Sequence, residues 1–174
     1  VELNISPNFA YFFGFNLVTM DKFTIEYENN TLNLDSIKKY KLYKKKNTSY
    51  LEIYDIPTIL IYNEKLTDDL NNYIRYKNTI LEHEWSNYIL QVIFGLTLIQ
   101  KYFNICHNDL HCSNIMYKYT DEKYIYYCYK NKYYRIFTYN KILKIIDWGR
   151  STYNFNDFIG KNNVFSLEGD VFGQ

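Results

Sequence analysis

A periodic apolar segment running straight into a polar loop constrains this chain more than anything else in it. From about Glu82 to Phe103, the residues Trp85, Ile89, Val92, Leu96, Ile99 and Phe103 recur four, three, four, three and four positions apart, the spacing of one helical face. Such a stripe predicts a core helix. Gly95 lies inside it at a cost of ~1 kcal/mol against alanine, which points to a close-packed neighbour. The next stretch, Ile105 to Met116, reads Ile-Cys-His-Asn-Asp-Leu-His-Cys-Ser-Asn-Ile-Met. Farther on, an apolar strand from Ile142 to Ile146, interrupted by Lys144, delivers Asp147-Trp148-Gly149.

An Asp with an Asn five residues on suits a loop in which one side chain receives a substrate proton and the other holds a metal. A second Asp at the end of an apolar strand, with Gly two places later, can hold the same metal from the opposite side. Carboxylate and carboxamide oxygens suit a hard ion such as Mg²⁺. His107, Asp109 and Asn114 match the His-x-Asp-Leu-x-x-x-Asn loop of protein kinases, and Asp147-Trp148-Gly149 resembles their Asp-Phe-Gly. On these residues the chain resembles the protein kinase-like superfamily.

That resemblance implies an α+β fold: a remnant of the small β lobe over residues 1–66, with its fourth and fifth strands, a polar insertion and the hinge, then the first part of the helical large lobe over 67–174. It implies ATP-dependent phosphoryl transfer to a protein Ser/Thr hydroxyl, with ATP and Mg²⁺ bound. Asp109 is then the base, Asn114 the ligand of one Mg²⁺, and Asp147 the ligand bridging metal to the nucleotide phosphates. His107 becomes a brace, and His111 stands where many protein kinases carry a Lys that contacts the transferred phosphate. Asn108 replaces the Arg that pairs with a phosphorylated activation loop in regulated kinases. Asn63, Glu64, Leu66 and Asp68 fall in a segment, Tyr62 to Asp68, that resembles the adenine-binding hinge, with Asn63 at the position gating the pocket behind the base. Read without the family, the same segment is a strand-to-helix turn with Thr67 as N-cap and a helix through Ile74.

His-x-Asp-Leu-His and Trp148 also resemble aminoglycoside and choline phosphotransferases, so a small-molecule hydroxyl acceptor is the alternative. No Gly-x-Gly-x-x-Gly and no Val-Ala-x-Lys strand occurs. The chain is therefore expected to be a fragment whose first strands lie upstream of Val1, weak or inactive alone, or a pseudokinase-like binding module. Cys106, His107, His111 and Cys112 do not have the spacing of the common zinc modules.

Around these motifs, the aromatic and β-branched runs Phe9 to Phe13 and Phe15 to Val18, split by Gly14, predict strands, and Pro7-Asn8-Phe9 resembles the opening of the small lobe's fourth strand. The lysine-rich polar stretch Glu28 to Ser49 predicts a surface insertion. Tyr50 to Ile56 and Thr58 to Tyr62 predict two strands around Pro57, and Lys123 to Tyr139 predicts a β-hairpin turning at Lys130-Asn131-Lys132. Residues 150–174 show no period and correspond to an activation or substrate-binding loop, with a faint likeness of Gly169-Asp170-Val171-Phe172 to a later kinase helix.

Composition sets the outer bounds. At 174 residues and 47% hydrophobic, the chain can bury a core. A net charge of +1 creates no global field to recruit nucleic acid or an anionic membrane, so neither is an expected partner. Three cysteines and no leading apolar segment predict a reducing, cytoplasmic compartment, and the apolar run Ile89 to Ile99 is too short to span a bilayer.

Overall fold

The computed structural model describes residues 6–28, 34–77, 79–155 and 158–160. The chain divides into two compact units, one of Phe12–Asn63 and one combining Val1–Tyr11 with Glu64–Gln174.

The first unit is an antiparallel sheet of β1 (Phe12–Glu26), β2 (Tyr40–Lys45) and β3 (Thr48–Asn63), in the order β1-β3-β2. β1 pairs β3 from Phe12↔Asn63 to Glu26↔Tyr50. Phe12 and Phe13 of the first aromatic run continue into the second as one strand, with Gly14, at φ +149°, taking up a register shift, whereas Phe9 to Tyr11 belong to the other unit. The supposed polar insertion supplies β2, while its residues 29–33 lie outside the described ones. Pro57 likewise sits inside β3 and does not divide it. β2 covers β3 only as far as Tyr54, and an open edge tolerates a residue without an N–H.

The second unit begins at β4 (Asp68–Asp69) and α1 (Leu70–Tyr76), followed by α2 (Glu82–Phe103), β5 (Ile105–Cys106) and a 3-10 turn over Cys112–Asn114. Then come β6 (Ile115–Tyr119), the hairpin β7 (Tyr124–Tyr129) and β8 (Lys132–Phe137), β9 (Lys141–Ile145), β10 (Thr152–Phe155) and β11 (Phe158–Gly160). Its sheets are β4-β6-β9, β5-β10-β11 and β7-β8. The hairpin forms where the sequence predicts it, with Lys130 and Asn131 both at positive φ, as a tight two-residue turn requires.

Among the described residues, strands account for 48% and helix for 24%, with two α-helices. The expected α+β, kinase-like architecture with a helical large lobe is overturned: the chain is mostly β, in small antiparallel sheets. Helical periodicity is confined to α1 and α2, and past Met116 the Tyr- and Ile-rich sequence alternates with period two, which builds hairpins. No helix among the described residues is long and apolar enough to cross a membrane.

The helices carry two further corrections. Asp69, not Thr67, caps α1: its carboxylate accepts the Asn72 N–H at 2.7 Å, whereas the Thr67 N–H is committed to the Tyr117 carbonyl at 2.8 Å. The buried face of α2 is also rotated from the predicted stripe, since Glu84, Tyr88, Gln91, Val92, Gly95 and Leu98 are the buried residues. Ile89 is 52% exposed, and Trp85, Ile89, Val92 and Leu96 line an open apolar groove of about 300 Å³ with Leu110 and Cys112.

Polar residues enter this core because they are satisfied there. β9 is the outer strand of its sheet, and its free edge needs partners. Gln91 supplies them, donating from Nε2 to the Lys141 carbonyl at 3.1 Å and accepting the Leu143 N–H at 2.9 Å. Asn8 continues the edge: its Nδ2 donates to the Leu143 carbonyl at 2.8 Å and its carbonyl accepts the Ile145 N–H at 2.8 Å. The N-terminal segment therefore packs against β9 and does not open a strand of the other unit.

Gly95 has the close neighbour the sequence implied. A Cβ there would stand 3.0 Å from Asn8 Cβ and 3.2 Å from Ile145 Cδ1, and Asn8 cannot retreat, with Oδ1 also bonded by Tyr127 Oη at 2.6 Å. Gly95→Ala therefore loses about 1–2 kcal/mol despite alanine's better helix propensity. Gln91→Leu, which strands two main-chain groups, loses about 2–3 kcal/mol. Urea unfolding midpoints check both.

Candidate functional site

Two chain segments meet at one end of the β4-β6-β9 sheet. The loop after β5 carries Asp109 and Asn114 into β6, and β9 runs out into Asp147, with Ile115 opposite Ile145 in register. Ile146 joins them, its N–H donating to the Asn114 carbonyl at 3.0 Å and its carbonyl lying 2.8 Å from His107 Nε2. Because Nε2 faces a carbonyl, it carries the proton, which leaves Nδ1 to accept the Asp109 N–H at 3.3 Å. The buried imidazole therefore ties the loop holding Asp109 to the strand delivering Asp147, and Trp148 packs on it at 4.6 Å between ring centroids.

Asn114 is 7% exposed and spends its Nδ2 on the Asp109 carbonyl at 2.9 Å. Among the described residues no donor meets its Oδ1. Asp147 is exposed and held at φ +58°, a left-handed conformation that Asp tolerates better than most residues. Its Oδ1 accepts the Gly149 N–H at a long 3.3 Å, and Oδ2 has no donor among the described residues. Asn108 is likewise left-handed, at φ +62°, and its Nδ2 donates to the Arg150 carbonyl and to Thr152 Oγ1, both at 3.1 Å. Backbone strain of this kind persists only where surrounding contacts enforce it.

Asp109 and Asn114 are thus in direct contact, and Asp147 follows the residue bonded to both Asn114 and His107. His111 is exposed just before the 3-10 turn; its carbonyl accepts the Asn114 N–H at 2.9 Å, and its ring has no hydrogen-bond partner among the described residues. What the sequence did not reveal is Arg150, whose Nη1 bonds Asp109 Oδ1 at 3.0 Å. The only signal was its place directly after Gly149.

The hinge-like residues fare differently. Glu64 is committed: its carboxylate pairs with Lys118 at 2.8 Å and Lys144 at 3.0 Å and accepts the Tyr11 N–H at 3.1 Å, while its own N–H bonds the Tyr11 carbonyl. Lys144, which interrupts the apolar strand in the sequence, is buried for this pair and also donates to the Phe9 carbonyl at 3.0 Å. Asp68 accepts the Asp69 N–H and Asn72 Nδ2, and the Asn72 amide foremost holds its carboxyl below the usual range. Leu66 has no hydrogen-bond partner for its main-chain N–H or C=O among the described residues. Asn63 is exposed at the end of β3, in the other unit.

For a metal, the described residues contain no cluster of three or more His, Cys, Asp and Glu side chains. Asn114 Oδ1 and Asp147 Oδ2 each lack a donor among the described residues. Two hard oxygen donors fit Mg²⁺, which keeps several waters and binds through one or two protein ligands plus phosphate. No protein-family model matches the chain, and no curated protein does.

The Glu64 cluster has a pH signature. Burial pushes its carboxyl up, but the hydrogen bonds from Lys118, Lys144 and the Tyr11 N–H outweigh this and hold it at about 2, below its ordinary 4.5. The unfolded chain thus takes up this proton first. The contribution is complete above pH 4.5 and is lost as pH falls from there towards 2. Glu64→Gln removes that acid-sensitive component and, with Lys144 left unpaired, lowers stability at neutral pH by about 3 kcal/mol. Urea midpoints measured at neutral pH and at about pH 3 test both effects.

Proposed function

We propose that this chain carries the site of an ATP-dependent phosphoryl transfer to a hydroxyl, with a protein Ser or Thr as the acceptor. The observation that carries the proposal is the seam His107–Ile146–Asn114, through which Asp109, Asn114 and the Asp147 turn are held together by hydrogen bonds of 2.8 to 3.0 Å. Phosphoryl transfer asks the protein mainly to position groups and offset charge, so a rigid set of oxygens is what the chemistry requires.

Asp109 orients the acceptor hydroxyl and takes its proton on Oδ2, which has no other partner among the described residues, while Oδ1 stays with Arg150. As the proton leaves, the hydroxyl oxygen bonds to the γ-phosphorus and the bond to the bridging oxygen breaks, its electron pair departing with ADP. Asn114 Oδ1 and the Asp147 carboxylate are the residues that would hold Mg²⁺. When bound, the ion would supply positive charge to offset that of the nucleotide phosphates. His107 touches no reactant in this scheme and fixes the spacing of the other groups. The N–H and C=O of Leu66, without a hydrogen-bond partner among the described residues, suit the edge of an adenine base.

Asp109→Asn is expected to lower transfer from γ-labelled ATP by about 10²- to 10⁴-fold with nucleotide binding retained. Asp147→Asn should abolish the Mg²⁺ dependence of that binding. Parallel assays with protein acceptors and with aminoglycosides or choline separate the two acceptor classes. A wild-type chain that neither binds Mg-ATP nor labels any acceptor would overturn the proposal.

A further inference from the structure

We infer that Arg150 is an anion contact for the phosphoryl group in transfer, an assignment that rests on the phosphotransfer proposal above. Its main chain is anchored, since its carbonyl accepts from Asn108 Nδ2 at 3.1 Å and the next N–H, of Ser151, closes a turn onto the Trp148 carbonyl at 3.0 Å. Its head is anchored as well, through Nη1 to Asp109 Oδ1 at 3.0 Å. That bond uses one of the five N–H donors of a guanidinium. Among the described residues no acceptor meets the others, and the side chain is 35% exposed.

The electrostatics of the site call for such a group. Asp109 as an anion would repel an incoming phosphate, and among the described residues the loop from Ile105 to Met116 places no Lys or Arg beside it. His111 is exposed and makes no ion pair among the described residues. Arg150 neutralises Asp109 through one donor and retains a planar fork that matches two phosphate oxygens, an arrangement a lysine cannot reproduce. It remains on Oδ1 while the acceptor's proton passes to Oδ2, and its free donors meet the equatorial oxygens where charge develops.

Arg150→Ala, Arg150→Lys and Asp109→Asn in the full chain test this with two readouts: metal-free titration with inorganic tripolyphosphate, and transfer from γ-labelled ATP with and without added guanidinium ion. Arg150→Ala should weaken tripolyphosphate binding about tenfold or more and lower kcat about 10²-fold, with partial rescue by guanidinium. Arg150→Lys should fall between alanine and wild type. Asp109→Asn should retain tripolyphosphate binding because the guanidinium is still present. Thermal midpoints should stay near wild type, since a partly exposed ion pair contributes little to stability.

The assignment is overturned if wild type transfers phosphate and Arg150→Ala does so equally well. It is also overturned if Asp109→Asn loses tripolyphosphate binding as Arg150→Ala does, or if the Arg150→Ala defect comes with a lowered thermal midpoint and no guanidinium rescue. A wild type with neither transfer nor nucleotide binding defeats the phosphotransfer proposal itself, and this assignment with it.

Discussion

The outer edge of β9 is the constraint on which the second unit depends. An outer strand leaves main-chain donors and acceptors that, once buried under a helix, each cost ~1–3 kcal/mol if unpaired. Here the side-chain amides of Gln91 and Asn8, with the Asn8 main chain, act in place of a neighbouring strand. This arrangement lets α2 lie directly on β9, and it needs Gly95 at the crossing, where Asn8 and Ile145 leave no room for a side chain. The position of Asp147 follows from β9, whose register sets Ile145, two residues before it, opposite Ile115.

The candidate site adds a second layer of polar pairing at the end of that strand. Ile146 is gripped on both sides of its peptide, by Asn114 and His107, and the left-handed turns at Asn108 and Asp147 are enforced by side-chain contacts to Arg150, Thr152 and Gly149. Glu64 performs a comparable task elsewhere on the sheet, where one carboxylate holds two lysines of adjacent strands and the incoming N-terminal segment. Ionic groups in these positions trade solvation for several short bonds each, which favours one arrangement of the strands over slipped alternatives.

How much could be read in advance varied with the range of the interactions. The hairpin at Lys130-Asn131 and the extent of α2 follow from turn chemistry and from a 3.6-residue period, both local. The face that α2 buries does not follow, because Trp85, Ile89 and Leu96 are as apolar as any core residue. Trp85 and Leu96 pack on the core only half-buried, while Glu84 and Gln91 are buried because Lys77, Tyr73, Tyr88 and β9 satisfy their polar groups. Thr67 loses the cap of α1 because Asp68 and Asp69 are drawn into pairing with β6, so the helix begins at Leu70 and Asp69 stands at its N-cap. The helical large lobe failed at fold level: two short motifs specify a local constellation of side chains and say little about the elements surrounding it.

By itself the sequence determined the local chemistry: where Asp109, Asn114 and Asp147 stand along the chain, which segments alternate and which turn with helical period. Only the tertiary structure decided that sheets outnumber helices, that the outer edge of β9 is closed by side-chain amides, and that Arg150 meets Asp109. The physical reason is separation along the chain. Asp109 and Arg150 are 41 residues apart, and Asn8 and Leu143 are 135 apart. Contacts over such distances depend on how whole elements pack, which neither residue encodes on its own.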